Sequence, residues 1–169
     1  TSSKNHGSPF ITPYTYYKVV GEGILKTYAH CFDVNCAMAT FYNVYGPKEP
    51  KKGEWATVVA KFGRQYSDGE NLTVVGDGSQ TRDFTHVDDV VNANILAMQY
   101  NDPWPDLNTG PFGKVYNVGT GKNHSVLELA RMISDTVKFV PARLGEARET
   151  LANANKAKEK LGWKAEVQL

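Results

Sequence analysis

Cysteine is scarce in this chain: Cys31 and Cys36 are the two among 169 residues. Two thiols cannot build a disulfide framework or a four-ligand zinc site, and His6, His30, His86 and His124 show no metal-ligand spacing. The thiols read as buried or incidental. No charge of one sign prevails either. Nineteen basic residues stand against 18 acidic ones, a formal charge of +1. This excludes a strongly basic surface as an argument for nucleic acid or anionic lipid, and it excludes an acidic disordered tail. Long apolar runs are also missing. None approaches the roughly 20 residues that span a bilayer, and the opening residues do not read as a signal peptide. What is present is 41% apolar and 11% aromatic content, enough for one hydrophobic core. The expectation is a soluble α/β protein of the cytoplasm, away from nucleic acid and membrane. The first residue is Thr1 rather than Met, so a longer protein is expected around it.

Periodicity and punctuation predict alternating helices and strands. Residues 1–12 read as a loop, and Thr12-Pro13 offers a cap followed by proline at the first helical position. From Tyr14 to Phe32 apolar residues recur at helical spacing. Gly21 and Gly23 interrupt them, where close packing by a neighbour is expected. Residues 35–41 predict a buried strand and residues 55–66 a helix. A strand over 72–75 leads through Gly76-Asp77-Gly78 to a second near 81–85. A helix over 87–100 carries Asp88 and Asp89 at its positive end. Residues 115–118 predict a strand. Ser125 and Glu128 form a capping box for a helix to about Lys138, and a last helix covers about 153–161. Such alternation points to the α/β class.

Several residues carry possible chemistry. Tyr14 and Lys18, four apart, share one helical face, and an ammonium there stabilises a phenolate. A tyrosine tuned in this way can take a proton from a hydroxyl, helped by a serine such as Ser2 or Ser3. By chance alone many helices carry this pair. Asn43-Val44-Tyr45-Gly46-Pro47 follows a predicted strand, where ligand crevices of parallel sheets lie, or where an ordinary turn ends it. Arg82, beside Asp83, offers a fork for phosphate, although a surface Arg82–Asp83 pair is the simpler reading of that spacing. Gly119-Thr120-Gly121 has His124 where a third glycine would complete a nucleotide loop, so it reads as a turn. The loop at Pro141–Arg148 holds two arginines that either meet a pyrophosphate or stay solvated.

The order of these signals is more specific than any one of them. Pro13-Tyr14-x-x-x-Lys18 precedes Phe41-Tyr42-Asn43-Val44-Tyr45-Gly46-Pro47. Then come Gly76-Asp77-Gly78-x-Gln80-x-Arg82-Asp83-Phe84, Tyr116-Asn117-Val118-Gly119, Gly145-Glu146-x-Arg148 and Leu161-Gly162-Trp163. The succession resembles the nucleotide-sugar epimerase/dehydratase branch of the extended short-chain dehydrogenase/reductases, over essentially the whole chain. The resemblance implies the C-terminal portion of a Rossmann-like parallel sheet plus a small α/β substrate-binding domain. Residues 1–54 would be a remnant of the NAD-binding domain carrying the Tyr-x-x-x-Lys helix. Residues 55–169 would form the sugar-nucleotide region, crossing back to the Rossmann sheet near 80–120.

The same resemblance implies roles. Tyr14 matches the catalytic base, Lys18 its partner that also binds the cofactor, and Ser3 the catalytic hydroxyl, with Ser2 the alternative. Phe41 sits where the family approaches the nicotinamide of NAD. Asn43, Thr73, Val75, Arg82, Arg143 and Glu146 match positions that hold the nucleotide-diphosphate sugar, and no metal is implied. Thr40 and Asn153 depart from the family's usual arginine and aspartate, and the glycine-rich turn for the NAD pyrophosphate has no counterpart in these 169 residues. Lys4 and Asn5 after Ser3 offer no carboxylate for an elimination, which favours C4 epimerisation over 4,6-dehydration or reduction. A sugar-nucleotide binding module without catalysis is the other class. Self-association, as a homodimer or otherwise, is expected of the long apolar helix, and turnover by this stretch alone is not.

Overall fold

The computed structural model describes residues 13–50, 52–53, 56–100, 115–142 and 146–169. In chain order these form α1 (Pro13–Phe32), β1 (Met38–Phe41), β2 (Val44–Tyr45), α2 (Val58–Ser67), β3 (Leu72–Val75), β4 (Thr81–Arg82) and β5 (Thr85–His86). They continue with α3 (Val87–Gln99), β6 (Val115–Val118), β7 (His124–Ser125), α4 (Val126–Ile133), β8 (Val137–Val140) and α5 (Asn155–Leu161). The class is α/β with parallel strand pairs: β1 with β6, β2 with β5, and β3 with β8. β4 and β7 pair antiparallel.

Two apolar clusters form because the spacing of apolar residues matches the elements. Around β6, Tyr116 and Val118 meet Val90, Ala93 and Ala97 of α3, Ala157 and Leu161 of α5, and Trp163. Around β3, Leu72 and Val74 meet Phe62 of α2, Val126, Leu129 and Ala130 of α4, and Phe84. Strand residues two apart and helix residues three or four apart thus face one interior. Each fully buried large side chain contributes roughly 1.5–3 kcal/mol. Trp163 is buried with its indole N–H donating to the Asp89 carbonyl at 2.9 Å, which removes the cost of a dry donor. The Asp89 carboxylate accepts from Glu166 N–H at 3.0 Å and Val167 N–H at 3.1 Å, so it anchors the tail besides sitting in the first turn of α3.

The structure departs from expectation at several boundaries. α4 stops at Ile133 rather than near Lys138, because Ser134 turns extended and Val137–Val140, with two valines and a phenylalanine, pairs with β3. The strand expected over 81–85 divides into β4 and β5, because Asp83 is drawn into contacts with residues 119–121 and 152. α2 begins at Val58 with Thr57 as its cap, while Trp55 and the Thr12 cap lie outside the described residues. The N-cap of α3 is His86, whose Nδ1 accepts from Asp88 N–H at 3.3 Å. At Gly21 and Gly23 a Cβ would meet nothing within 4 Å, so no described element packs closely there. Of the whole of α1, Ala29 alone is buried among its residues, and Tyr17, Ile24, Tyr28 and Phe32 are exposed.

The predicted capping box is present. Ser125 N–H donates to Glu128 Oε2 at 2.7 Å and Glu128 N–H donates to Ser125 Oγ at 3.0 Å. The Ser125 backbone N–H, then its hydroxyl, hold the Glu128 carboxyl below the usual glutamate range. Stability from a depressed carboxyl is present above the unfolded-state value of about 4.3 and is lost as pH falls through the lower folded value. Glu128→Gln is therefore expected to shrink the difference between urea midpoints at pH 6 and pH 3. An unchanged difference would contradict this. Ser125→Ala is expected to cost about 1 kcal/mol at pH 7.

Candidate functional site

The chemistry-bearing residues fall into two groups in space. Tyr14 and Lys18 project from one face of α1, with Lys18 Nζ 5.3 Å from the centre of the Tyr14 ring. Tyr14 is 63% exposed, and Phe41, at the carboxyl end of β1, is 45% exposed. Tyr42 and Tyr45 lie just beyond that strand. Burial, and then Asp83 and Asp89 respectively, push their hydroxyls above the ordinary tyrosine value, which unsuits them as bases. Ser3, its alternative Ser2, and Arg143 lie outside the described residues.

The second group surrounds a cavity of about 860 Å³, to whose lining Asn43, Thr73, Val75, Arg82 and Glu146 all contribute. Tyr14, Lys18 and Phe41 are not part of that lining. Residues 56–59, the start of α2, border it, so the positive end of a helix faces the space. That end is held by Thr57, whose hydroxyl accepts from Ala60 N–H at 3.2 Å and donates to Glu49. Asn43 sits in the left-handed region (φ +27°), which asparagine tolerates better than most residues. Its Oδ1 accepts from the Thr150 hydroxyl at 2.8 Å, which leaves the Nδ2 donors for the cavity.

Arg82 is the cation of the site and is 8% exposed. Nη1 donates to the Thr81 carbonyl at 2.8 Å, and Nη2 reaches Glu146 Oε1 at 3.2 Å. Burial pushes the guanidinium below its ordinary value while Glu146 opposes the shift. A guanidinium so placed remains a cation at neutral pH. A buried fork with donors to spare, beside a helix start and an amide, suits a phosphate-like anion.

Arg82 and Asp83 do not form the surface pair that their spacing suggests. Asp83 is fully buried. Its Oδ1 accepts from Thr120 N–H (2.9 Å) and hydroxyl (2.6 Å), its Oδ2 from Gly121 N–H (3.0 Å) and Ala152 N–H (3.1 Å). The glycine loop at 119–121 therefore binds this carboxylate. Gly119 is glycine for contact: a Cβ there would collide with that of Ala152 and lie 2.9 Å from Asp83 Oδ2. Gln65 and Gln80, which the sequence reading passed over, also serve the site through β3. Among the described residues no group of three or more His, Cys, Asp or Glu is placed to hold a metal.

Residues 2–119 match the model of the NAD dependent epimerase/dehydratase family. The chain belongs to that family. It is 38% identical over 166 residues to a UDP-glucose 4-epimerase of Mycolicibacterium smegmatis, covering 94% of this chain and 49% of that protein. Among solved structures, it resembles UDP-glucose 4-epimerase with UDP-glucose from Thermotoga maritima at a TM-score of 0.83 and 34% identity, over 94% of this chain and 50% of that one. The UDP-glucuronic acid 4-epimerase of Bacillus cereus, in complex with UDP-glucuronic acid and NAD, gives a TM-score of 0.82 at 26% identity, over 99% and 52%. The chain thus spans about half the length of the curated relatives it matches. Membership of the epimerase/dehydratase family fits the Rossmann-like pairing of β1 with β6, and no helix among the described residues is long and apolar enough to cross a membrane.

Proposed function

We infer that this chain carries the sugar-nucleotide site and the acid–base residues of a nucleotide-sugar 4-epimerase. The observation that carries the reading is Arg82, buried in a cavity that Asn43 and the start of α2 also border. Together they fit a diphosphate. Glu146, and Arg143 nearby in sequence, belong to the same substrate, and the open edge of β3 at Thr73 and Val75 receives its base. Residues 1–54 form part of the NAD-binding half and residues 55–169 the sugar-nucleotide half. The cytoplasm suits the two free thiols, Cys31 and Cys36.

Tyr14 and Lys18 fit the nicotinamide end of NAD through the chemistry of a phenol with an ammonium over its ring, and Phe41 would border it. NAD, when bound, accepts a hydride from the sugar and returns it. Tyr14 takes the proton of the sugar 4-hydroxyl, the Lys18 ammonium favours the phenolate that does so, and Ser3 holds the reacting oxygen. The same phenol returns the proton once the 4-keto sugar has turned its other face. Throughout, the cavity keeps hold of the diphosphate.

No glycine-rich turn for the dinucleotide pyrophosphate occurs in these 169 residues. Prepared alone, they are expected to give no epimerisation. Mixed with the N-terminal half of a UDP-glucose 4-epimerase and NAD, they are expected to give turnover that Tyr14→Phe lowers by about 100-fold or more. UDP binding with no turnover in the mixture would instead favour a binding module. Turnover that survives Tyr14→Phe would refute the role of that residue. The exposed apolar residues of α1 lead to a separate expectation: the chain elutes above its monomer mass of 18.7 kDa and binds a hydrophobic dye. A monodisperse monomer that leaves the dye dark would contradict it.

A further inference from the structure

The charges around the cavity do not all favour an anion. Arg82 and Lys61 line it, and Glu146, which also does, is matched by Arg82 at 3.2 Å. Glu49 stands one side chain behind the lining. Its carboxylate accepts from the Thr57 hydroxyl, and Thr57 borders the cavity directly. None of the ion pairs among the described residues includes Glu49, so no cation of that set offsets its charge.

The backbone is strained on the way to this placement. Lys48, next to Glu49, lies in the left-handed region at φ +70°, where a residue with a Cβ is uncommon. Gly46 and Gly53 on either side also have positive φ, at no such cost. The loop thereby turns back on α2, and Glu49 ends half-buried there. Thr57 caps the helix without needing this carboxylate. Its hydroxyl oxygen accepts from Ala60 N–H at 3.2 Å and its carbonyl from Lys61 N–H at 2.9 Å. The N–H groups of Val58 and Val59 precede the first intrahelical bond, and both residues line the cavity. A hydroxyl has one proton to donate, and Glu49 takes the one that Thr57 would otherwise offer to an anion.

We propose that Glu49 is a positioning residue that, through Thr57, holds the affinity of this site for a diphosphate down and so speeds release of the nucleotide. The proposal rests on the sugar-nucleotide reading above. Two effects share one sign. The carboxylate repels phosphate charge at the start of α2, and it keeps the Thr57 proton turned away from that charge. The substrate and product of a 4-epimerase carry the same diphosphate. Tighter binding of that shared group lowers KM without raising kcat, and it slows the departure of product. A carboxylate beside the phosphate site trims this uniform binding while leaving the contacts of the base and ribose alone.

The test is calorimetric titration of the chain and its variants with UDP and with uridine, backed by surface plasmon resonance for the rates. Glu49→Gln removes the charge and keeps an acceptor for the Thr57 hydroxyl. It is expected to bind UDP about fivefold tighter than wild type at low salt, read as slower dissociation, and to leave uridine unchanged. The gain is expected to shrink below about twofold near 0.5 M salt, as a charge effect must. Glu49→Ala also frees the Thr57 proton and is expected to tighten UDP likewise, so the outcome does not hang on the folding of one variant. A purely structural role for Glu49 predicts the opposite sign, or equal changes for both ligands. UDP binding that is unchanged or weaker in the folded variants, or a gain shared by uridine, would overturn the proposal while leaving the nucleotide site standing. Failure of the wild-type chain to bind UDP would bring down the sugar-nucleotide reading itself, and this proposal with it.

Discussion

Replacing Asp83 by alanine is expected to lower the unfolding free energy by about 4 kcal/mol, read from the urea midpoint by circular dichroism. The carboxylate has no direct place in the cavity, yet four donors from residues 120, 121 and 152 converge on it. Bonds to a charged acceptor contribute about 1.5–3 kcal/mol each. Their simple sum overstates the loss, because Gly121 is exposed and its N–H can turn to water. Ala152 is buried, so its N–H would be left dry. Asparagine is expected to recover only part of the loss: its Oδ1 can still accept from Thr120, but its Nδ2 would oppose the Gly121 and Ala152 donors. Against a usual total of about 5–15 kcal/mol, the alanine change removes much of the stability. A midpoint within experimental error of wild type would show that residues 119–121 and 152 are held by other means.

Arg82→Leu is expected to weaken UDP binding about 100-fold, the second large effect. Two losses combine. The fork that suits a phosphate disappears, and Glu146, 3.2 Å from the guanidinium in the wild type, is left as an uncompensated carboxylate at the same cavity. Arg82→Lys keeps the charge without the planar fork and is expected to lose about tenfold. The double change Arg82→Leu with Glu146→Gln should then regain part of the loss, because the repulsion is gone. Equal affinity in wild type and Arg82→Leu would place the diphosphate elsewhere.

Much of this was legible in the residues. β3 matches its predicted span because a short apolar run sits between a polar stretch and Gly76-Asp77-Gly78. The helix over 87–99 follows from its apolar spacing, and the Ser125–Glu128 box announced α4. The family resemblance put Asn43, Thr73, Val75, Arg82, Arg143 and Glu146 in one set; all of these but Arg143, which lies outside the described residues, line one cavity. What stayed hidden depends on contacts between residues far apart in the chain. Nothing near Asp83 says that residues 120, 121 and 152 will converge on it. Spacing favoured Asp83 as the partner of Arg82, whereas Glu146, 64 positions from Arg82, is the observed one. Gln65 looked like an ordinary helix residue until β3 presented an open edge beside it. The end of α4 was misplaced because Val137 also continues the helical spacing of Leu129, Ala130 and Ile133, and only pairing with β3 decides for a strand.

Titration of the chain with UDP, UMP and uridine tests the central claim most directly, since the three ligands share a base and ribose and differ only in phosphate. The buried guanidinium, the Asn43 amide and the start of α2 predict the strongest binding for UDP, with a loss of about tenfold or more on removing each phosphate. Equal affinities for all three, or no binding of UDP, would contradict the assignment of this cavity to a nucleotide diphosphate.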